Sequence, residues 1–178
     1  MKVNILFTVL LVFCLNASAQ KFLAEKSTVT FFSHAAVEDI ASENSKSNSI
    51  FNESTCEMGF SIPIRDFEFA KSLMKEHFNE KYMETEKYPK STFQGKITGY
   101  QANGIGVQQV RASGRLSIHG VTKDIEVGGT VEKTDGKIVM RSRFTVKLED
   151  YLIKIPQLLW QNIAEEVEVK IEFLYKPL

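Results

Sequence analysis

Glu166-Val167-Glu168-Val169-Lys170-Ile171-Glu172-Phe173-Leu174-Tyr175 alternates charged and apolar residues with a period of two. Successive side chains of an extended chain point to opposite faces, so Val167, Val169, Ile171, Phe173 and Tyr175 share one buried face. Glu166, Glu168, Lys170 and Glu172 face solvent. The same rhythm recurs upstream. Val110, Ala112, Gly114, Leu116 and Ile118 oppose Gln109, Arg111, Ser113, Arg115 and Ser117, and Met140, Ser142, Phe144, Val146 and Leu148 oppose Arg141, Arg143, Thr145 and Lys147.

Ser27–Ser33, Met58–Ile64, Ser91–Tyr100 and Thr122–Lys133 read as further strands, and Glu38–Ser42 with Lys46–Phe51 as a polar strand pair that completes the count. Asn103-Gly104, His119-Gly120 and Asp135-Gly136 supply turn signals. The last joins Ile125–Val131 to Ile138–Leu148 as a hairpin. Seven or eight mostly antiparallel strands in one chain must manage their edges, and closure removes edges altogether. The expected fold is therefore all-β, a closed antiparallel barrel of about eight strands.

The interior of such a barrel is either filled by side chains or lined as a cavity. Gly95, Gly99, Ala112, Gly114, Gly129 and Ser142 fall on apolar-face positions, where they mark bends or the wall of a cavity. Two segments break the alternation. Between Phe67 and Met83 the residues Phe69, Leu73, Met74, His77 and Phe78 follow helical spacing and predict an inserted helix ending before Tyr88-Pro89. The apolar run Tyr151–Ile163, interrupted by Pro156, predicts a short helix against an open barrel end.

The chain starts with Lys2, an apolar run from Val3 to Leu15, and then Ala17-Ser18-Ala19. That is the pattern of a signal peptide covering residues 1–19, too short for a membrane anchor. Phe13 stands where lipidation at Cys14 needs a small residue. The mature domain is then residues 20–178, exported to the periplasm or secreted, with no integral membrane span. It keeps one cysteine, Cys56, which reads as a small buried hydrophobe and cannot form an intrachain disulfide.

With 178 residues, 22 Lys+Arg against 22 Asp+Glu and a pI near 6.8, the chain offers one domain and no positive field to draw nucleic acid. His34, His77 and His119 are too dispersed for a metal site by spacing. Glu166, Glu168 and Glu172 turn outward rather than pairing for glycoside chemistry, and Arg111, Arg115, Arg141 and Arg143 balance them. There is no nucleophile elbow, phosphate loop or dinucleotide fingerprint. No catalytic residue, cofactor or metal ligand is assigned, and the expectation is a protein that is not an enzyme.

Glu86-Lys87-Tyr88-Pro89-Lys90-Ser91-Thr92-Phe93 and Gly114-Arg115-Leu116-Ser117-Ile118-His119-Gly120-Val121-Thr122-Lys123 resemble the YceI-like family of bacterial secreted and periplasmic proteins. Phe78-Asn79, Arg143-Phe144-Thr145-Val146 and Asp150 fit the same pattern, so the resemblance covers most of Ser27–Tyr175. It implies a lipocalin-like barrel that holds a long isoprenoid chain, such as a polyprenyl quinone or polyprenyl phosphate, and no established catalytic constellation. A fatty acyl lipid is the alternative ligand. The chain departs from the family at Phe22–Ser27, where an Asp-x-x-His-Ser element is usual, across Ser33–Glu57, and at Leu152, where relatives often carry Gly and where the larger side chain would narrow one end of the tunnel.

An apolar tunnel needs no motif, because each buried CH₂ contributes roughly 0.8 kcal/mol. The candidate lining is Phe31, Phe60, Ile62, Phe93, Ile97, Val110, Gly114, Leu116, Phe144, Val146, Val169, Ile171 and Phe173. Phe78, Tyr82, Tyr88, Leu152 and Trp160 are candidates for the mouth or a lid. His119 is expected to make a structural hydrogen bond across its turn, with contact to a ligand headgroup as the other reading. A competing expectation is a packed barrel acting through its surface in envelope stress or adhesion, with Phe31, Phe93, Phe144 and Phe173 meeting at the axis. Monomer and homodimer are both left open.

Overall fold

The computed structural model describes residues 20–34, 39–155 and 164–178. Residues 1–19, and with them the expected signal peptide, lie outside the described residues. The described residues form ten strands: β1 (Lys21–Ser33), β2 (Ile40–Asn44), β3 (Asn48–Asn52), β4 (Glu57–Pro63), β5 (Glu68–Phe69), β6 (Lys90–Thr98), β7 (Val107–Ile118), β8 (Val121–Thr134), β9 (Lys137–Lys147) and β10 (Glu166–Pro177). All the pairings are antiparallel, and the pairing of β10 with β1 closes the sheet. The closed wall has eight strands, β1, β3, β4 and β6 to β10, with β2 and β5 added outside the ring.

Two tight turns set the register of the long strands. At His119-Gly120 both residues have positive φ, 50° and 76°, and at Asp135-Gly136 the values are 52° and 74°. Turns with both central residues left-handed match the twist of the flanking strands, which is why Asx-Gly and His-Gly pairs occupy them. The Asn103-Gly104 signal belongs to a longer connection in which the Gly104 amide donates to the Gln101 carbonyl 2.9 Å away.

β1 changes partner along its length. Lys21–Leu23 pair with β3 and Val29–Ser33 with β2, and a bulge between Ala24 and Lys26 bends the strand between them. The Ser- and Asn-rich β2–β3 stretch turns its polar side chains inward. Asn44 is fully buried, its amide donating to the Pro63 carbonyl and its carbonyl oxygen accepting from the Lys46 amide and the Ser47 hydroxyl. Ser42 donates to the Glu68 carbonyl at 2.7 Å, which stitches β5 to this pair. Each group recovers in the protein the hydrogen bonds it gives up to water, so polar residues are tolerated there.

The base of the barrel is packed shut. Phe22, Phe51, Val131, Ile138 and Tyr175 are all fully buried, with the Phe22, Phe51 and Tyr175 rings about 6.4 Å apart in sequence of contact. The Tyr175 hydroxyl meets Ser49 Oγ at 2.6 Å, and Ser49 donates to the Gly59 carbonyl. Burial pushes the Tyr175 phenol well above its usual range. Lys133 and Tyr100 both reach the carboxylate of Glu53, which closes the rim below.

One expectation is corrected. The helix does not span Phe67–Met83: α1 covers Ser72–His77 and a wider π-type turn follows over Phe78–Tyr82. Phe67 and Phe69 instead alternate about Glu68 in extended chain, because Phe69 pairs with Ser42 and both rings turn toward the barrel mouth. After β9 the described chain forms a 3₁₀ turn, Glu149–Tyr151, and most of the run Tyr151–Ile163, where a short helix is expected, is not described. Residues 156–163, including Trp160, lie outside the described residues.

Candidate functional site

Above the packed base lie two cavities arranged end to end along the barrel. The larger, about 330 Å³, lies at the mouth, roofed by Phe67, Phe69, Met74, His77, Phe78, Tyr82 and Met83. The smaller, about 60 Å³, lies deeper. Inward positions along single strands show the stacking. On β4, Ile62 faces the mouth cavity and Phe60 and Met58 the deeper one; on β10, Val167 and Val169 face the mouth and Ile171 and Phe173 the deeper cavity. Ligand pockets for small molecules run from roughly 300 to 1,000 Å³, which places the mouth cavity at the lower end of that range and the deeper one well below it.

Of the thirteen candidate lining residues, Phe31, Ile62, Val146 and Val169 border the mouth cavity. Phe60, Phe93, Ile97, Val110, Phe144, Ile171 and Phe173 border the deeper one. Leu116 is buried on β7 between them and borders neither. Gly114 also borders neither, a correction with a steric cause. It sits opposite Gly95 in the β6–β7 ladder, and a Cβ on Gly114 would lie 2.3 Å from the Gln94 carbonyl oxygen and 2.4 Å from Gly95 Cα. Its role is close approach of two backbones at a bend.

The deeper half is largely filled. Phe60 stacks on Phe93 with centroids 5.3 Å apart and meets Phe173 at 5.9 Å. Phe31 is not part of that group. It stacks on Phe78 at 5.4 Å and meets Phe67 and Phe69 edge-on at 5.4 and 5.8 Å, so four rings from different segments form an aromatic roof. The barrel is thus packed at its base and hollow at its mouth.

Few polar groups reach the mouth cavity. Ser33 and Ser91 are occupied, Ser33 Oγ accepting from the Ala164 amide and Ser91 donating to the Ser117 carbonyl. His77 and Tyr82 come from the roof, and burial raises the Tyr82 phenol above its ordinary value. The roof is lightly held: none of the six α1 residues is buried, and no side chain caps its start. Segments with so little burial open at the low end of a protein's local stabilities.

His119 anchors the rim. Its Nδ1 lies 3.2 Å from the Tyr151 carbonyl oxygen and its Nε2 2.9 Å from a Glu84 carboxylate oxygen, so both nitrogens face acceptors. These bonds reach two separate segments instead of crossing its own turn, where the hydrogen bond was expected. Met83, next to Glu84, and Ile153, two residues after Tyr151, both border the mouth cavity. The Tyr88 ring packs on the imidazole at 4.4 Å and against Gly120, where a Cβ would come within 2.5 Å of it. Tyr88 is therefore part of this clamp rather than of the cavity wall. His119→Ala should cost about 2 kcal/mol in urea unfolding, because Glu84 and the Tyr151 carbonyl lose a buried partner. Faster amide exchange should be confined to residues 83–88 and 149–153; a uniform change across the barrel would show that His119 does not hold the rim.

Leu152 does not narrow the cavity. It has φ 55° and is 67 % exposed, while Ile153 turns inward. A left-handed residue with a Cβ costs roughly 1–2 kcal/mol, the physical reason for Gly at this position. Leu152→Gly should raise stability by about 1 kcal/mol in urea unfolding without altering the cavity, and a loss of stability would contradict this reading.

Among the described residues no group of three His, Cys, Asp or Glu side chains is placed to hold a metal, and no helix is long and apolar enough to cross a membrane. A family model for the YceI-like domain matches residues 21–175. The chain belongs to that family. The two stretches that resemble it, around Tyr88 and His119, are the ones that pack together at the rim. Solved structures with the same fold include a polyisoprenoid binding domain from Saccharophagus degradans implicated in plant cell wall breakdown, 15% identical with TM-score 0.76, covering 88% of this chain and 98% of that one. BcnA from Burkholderia cenocepacia is 17% identical with TM-score 0.71, covering 83% and 95%. The YCEI protein of Campylobacter jejuni is 16% identical with TM-score 0.63, covering 82% and 88%. No functionally curated protein matches the chain.

Proposed function

We propose that this YceI-like protein is a non-catalytic binding protein that holds the tail of an isoprenoid lipid, a polyprenyl quinone or polyprenyl phosphate, in the mouth cavity beneath the aromatic roof. The observation that carries this is the cavity of about 330 Å³ whose wall is nearly all hydrocarbon and aromatic surface. Such a wall favours any long apolar chain by roughly 0.8 kcal/mol per buried CH₂, and the polyisoprenoid binding domain from Saccharophagus degradans that shares this fold supports the isoprenoid class. The apolar run Val3–Leu15 followed by Ala17-Ser18-Ala19 supports action in the periplasm or outside the cell. Titration with a fluorescent polyprenyl probe tests the reading, with a fatty acyl probe beside it. Saturable uptake with preference for the prenyl chain is expected; uptake of neither would refute it, and preference for the acyl chain would reassign the ligand class.

A further inference from the structure

The barrel wall is unzipped on one side. β8 and β9 pair only from Gly129–Ser142 to Thr134–Lys137, although β8 is paired with β7 along 121–132 and β9 with β10 along 138–147. Among the described residues, 121–128 of β8 and 143–147 of β9 therefore present two unpaired edges to each other. The seam is framed at both ends: Ser142 donates to the Gly128 carbonyl at 2.8 Å where the ladder stops, and Lys123 pairs with Asp150 above. Charges between these points turn away from the seam. Glu126 pairs with Arg111, Arg143 with Glu168 and Lys147 with Glu166, each toward the neighbouring paired strand.

The deeper cavity borders this seam, since Ile125, Val127, Gly128 and Phe144 are part of its wall. The buried rings of Phe22, Phe51 and Tyr175 close the base beyond it. From Val167 to Phe173 the barrel interior, hollow at the mouth and largely filled deeper down, spans about 20 Å of strand, about 15 Å along the axis after strand tilt. A longer chain must fold back on itself or leave through the side.

We propose that the β8–β9 seam is a lateral portal through which the far end of a long prenyl tail leaves the barrel, so that the protein accepts tails longer than its interior. This rests on the lipid-binding reading above. Once the roof takes the head end, the portal leaves tail length unrestricted, and selection falls on the part of the chain held inside.

The test uses two polyprenols with a photoreactive diazirine at the tail end, one shorter than the interior and one several times longer, bound to the full-length protein, irradiated and mapped by peptide mass spectrometry. The long chain should label residues 121–128 and 143–145, and the short chain, held in the mouth cavity, only the walls of that cavity. Val127→Trp, which plugs the seam, should weaken the long chain at least tenfold and leave the short one within about twofold. Long-chain label confined to the base or the mouth, or unchanged long-chain affinity in a folded Val127→Trp protein, overturns the portal while leaving the lipid reading standing. Binding of neither polyprenol refutes the lipid reading and the portal with it. If Val127→Trp fails to fold, the labelling pattern of the unaltered protein decides.

Discussion

Gly114→Ala, a change of one methyl group, is expected to destabilise the barrel by about 3 kcal/mol or more in urea unfolding. Overpacking usually costs 1–3 kcal/mol, because side chains rotate and share the strain. Here nothing can rotate: the new Cβ would sit 2.3 Å from the Gln94 carbonyl oxygen and 2.4 Å from Gly95 Cα, both backbone. Relief requires β6 and β7 to part, and their ladder runs from Thr92–Ser117 to Thr98–Arg111. Gly95→Ala meets the Ser113 carbonyl oxygen at 2.4 Å and should behave alike. Gly128→Ala, with nothing within 4 Å of its Cβ, should stay within about 0.5 kcal/mol of the parent. Equal stability for the Gly114 and Gly128 variants would mean that the two strands are not in contact at that bend.

Val169→Trp should have the largest effect on binding with little effect on folding. Val169 is half-buried on β10 between Phe31 and Phe144, and its side chain borders the mouth cavity. An indole there enters existing space rather than displacing packed atoms, so the clash that dooms a larger residue at Gly114 does not arise. Affinity for a polyprenyl probe should fall at least tenfold, about 1.4 kcal/mol, while Tm moves by only a few degrees. Its neighbour Glu168, which points outward to Arg143, serves as the control: Glu168→Gln should bind as the parent does. Undiminished probe affinity in a folded Val169→Trp protein would place the ligand elsewhere.

The long strands were readable because each buries one face and wets the other, so Val167 to Tyr175 and Met140 to Val146 carry the pattern without help from distant residues. The tight turns were readable for the same local reason, a left-handed pair at His119-Gly120 and Asp135-Gly136. The polar strand pair that became β2 and β3 was readable as strands, but the burial of its polar side chains was not. Ser42, Asn44, Ser47 and Ser49 are inside because their partners are carbonyls and hydroxyls of other segments. Phe67 and Phe69 matched helical and extended spacing equally over so short a stretch, and pairing with β2 decided between them.

Site residues divided along the same line. Inward-facing positions such as Ile62 and Val169 follow from alternation, but which cavity each one borders depends on depth, and depth depends on register across strands. Gly114 required more, since only the register that brings it against Gly95 shows a contact where alternation alone allows a cavity wall. The roof residues Met74, His77 and Met83 had helical spacing as their only signal, and spacing does not say which part of a barrel a helix covers. The pairing gap between β8 and β9 has no clear counterpart in sequence: apart from Lys123 on the face of Val121, Ile125 and Val127, both strands keep alternating through the unpaired stretch.

The most direct test of lipid binding in the mouth cavity is native mass spectrometry of the protein isolated without detergent, with lipids then released by unfolding and identified. One isoprenoid-tailed lipid per chain is predicted, lost in the Val169→Trp protein and retained in Glu168→Gln. Protein that is repeatedly free of lipid, and that takes up neither polyprenyl quinone, polyprenyl phosphate nor fatty acid when these are supplied, would contradict it.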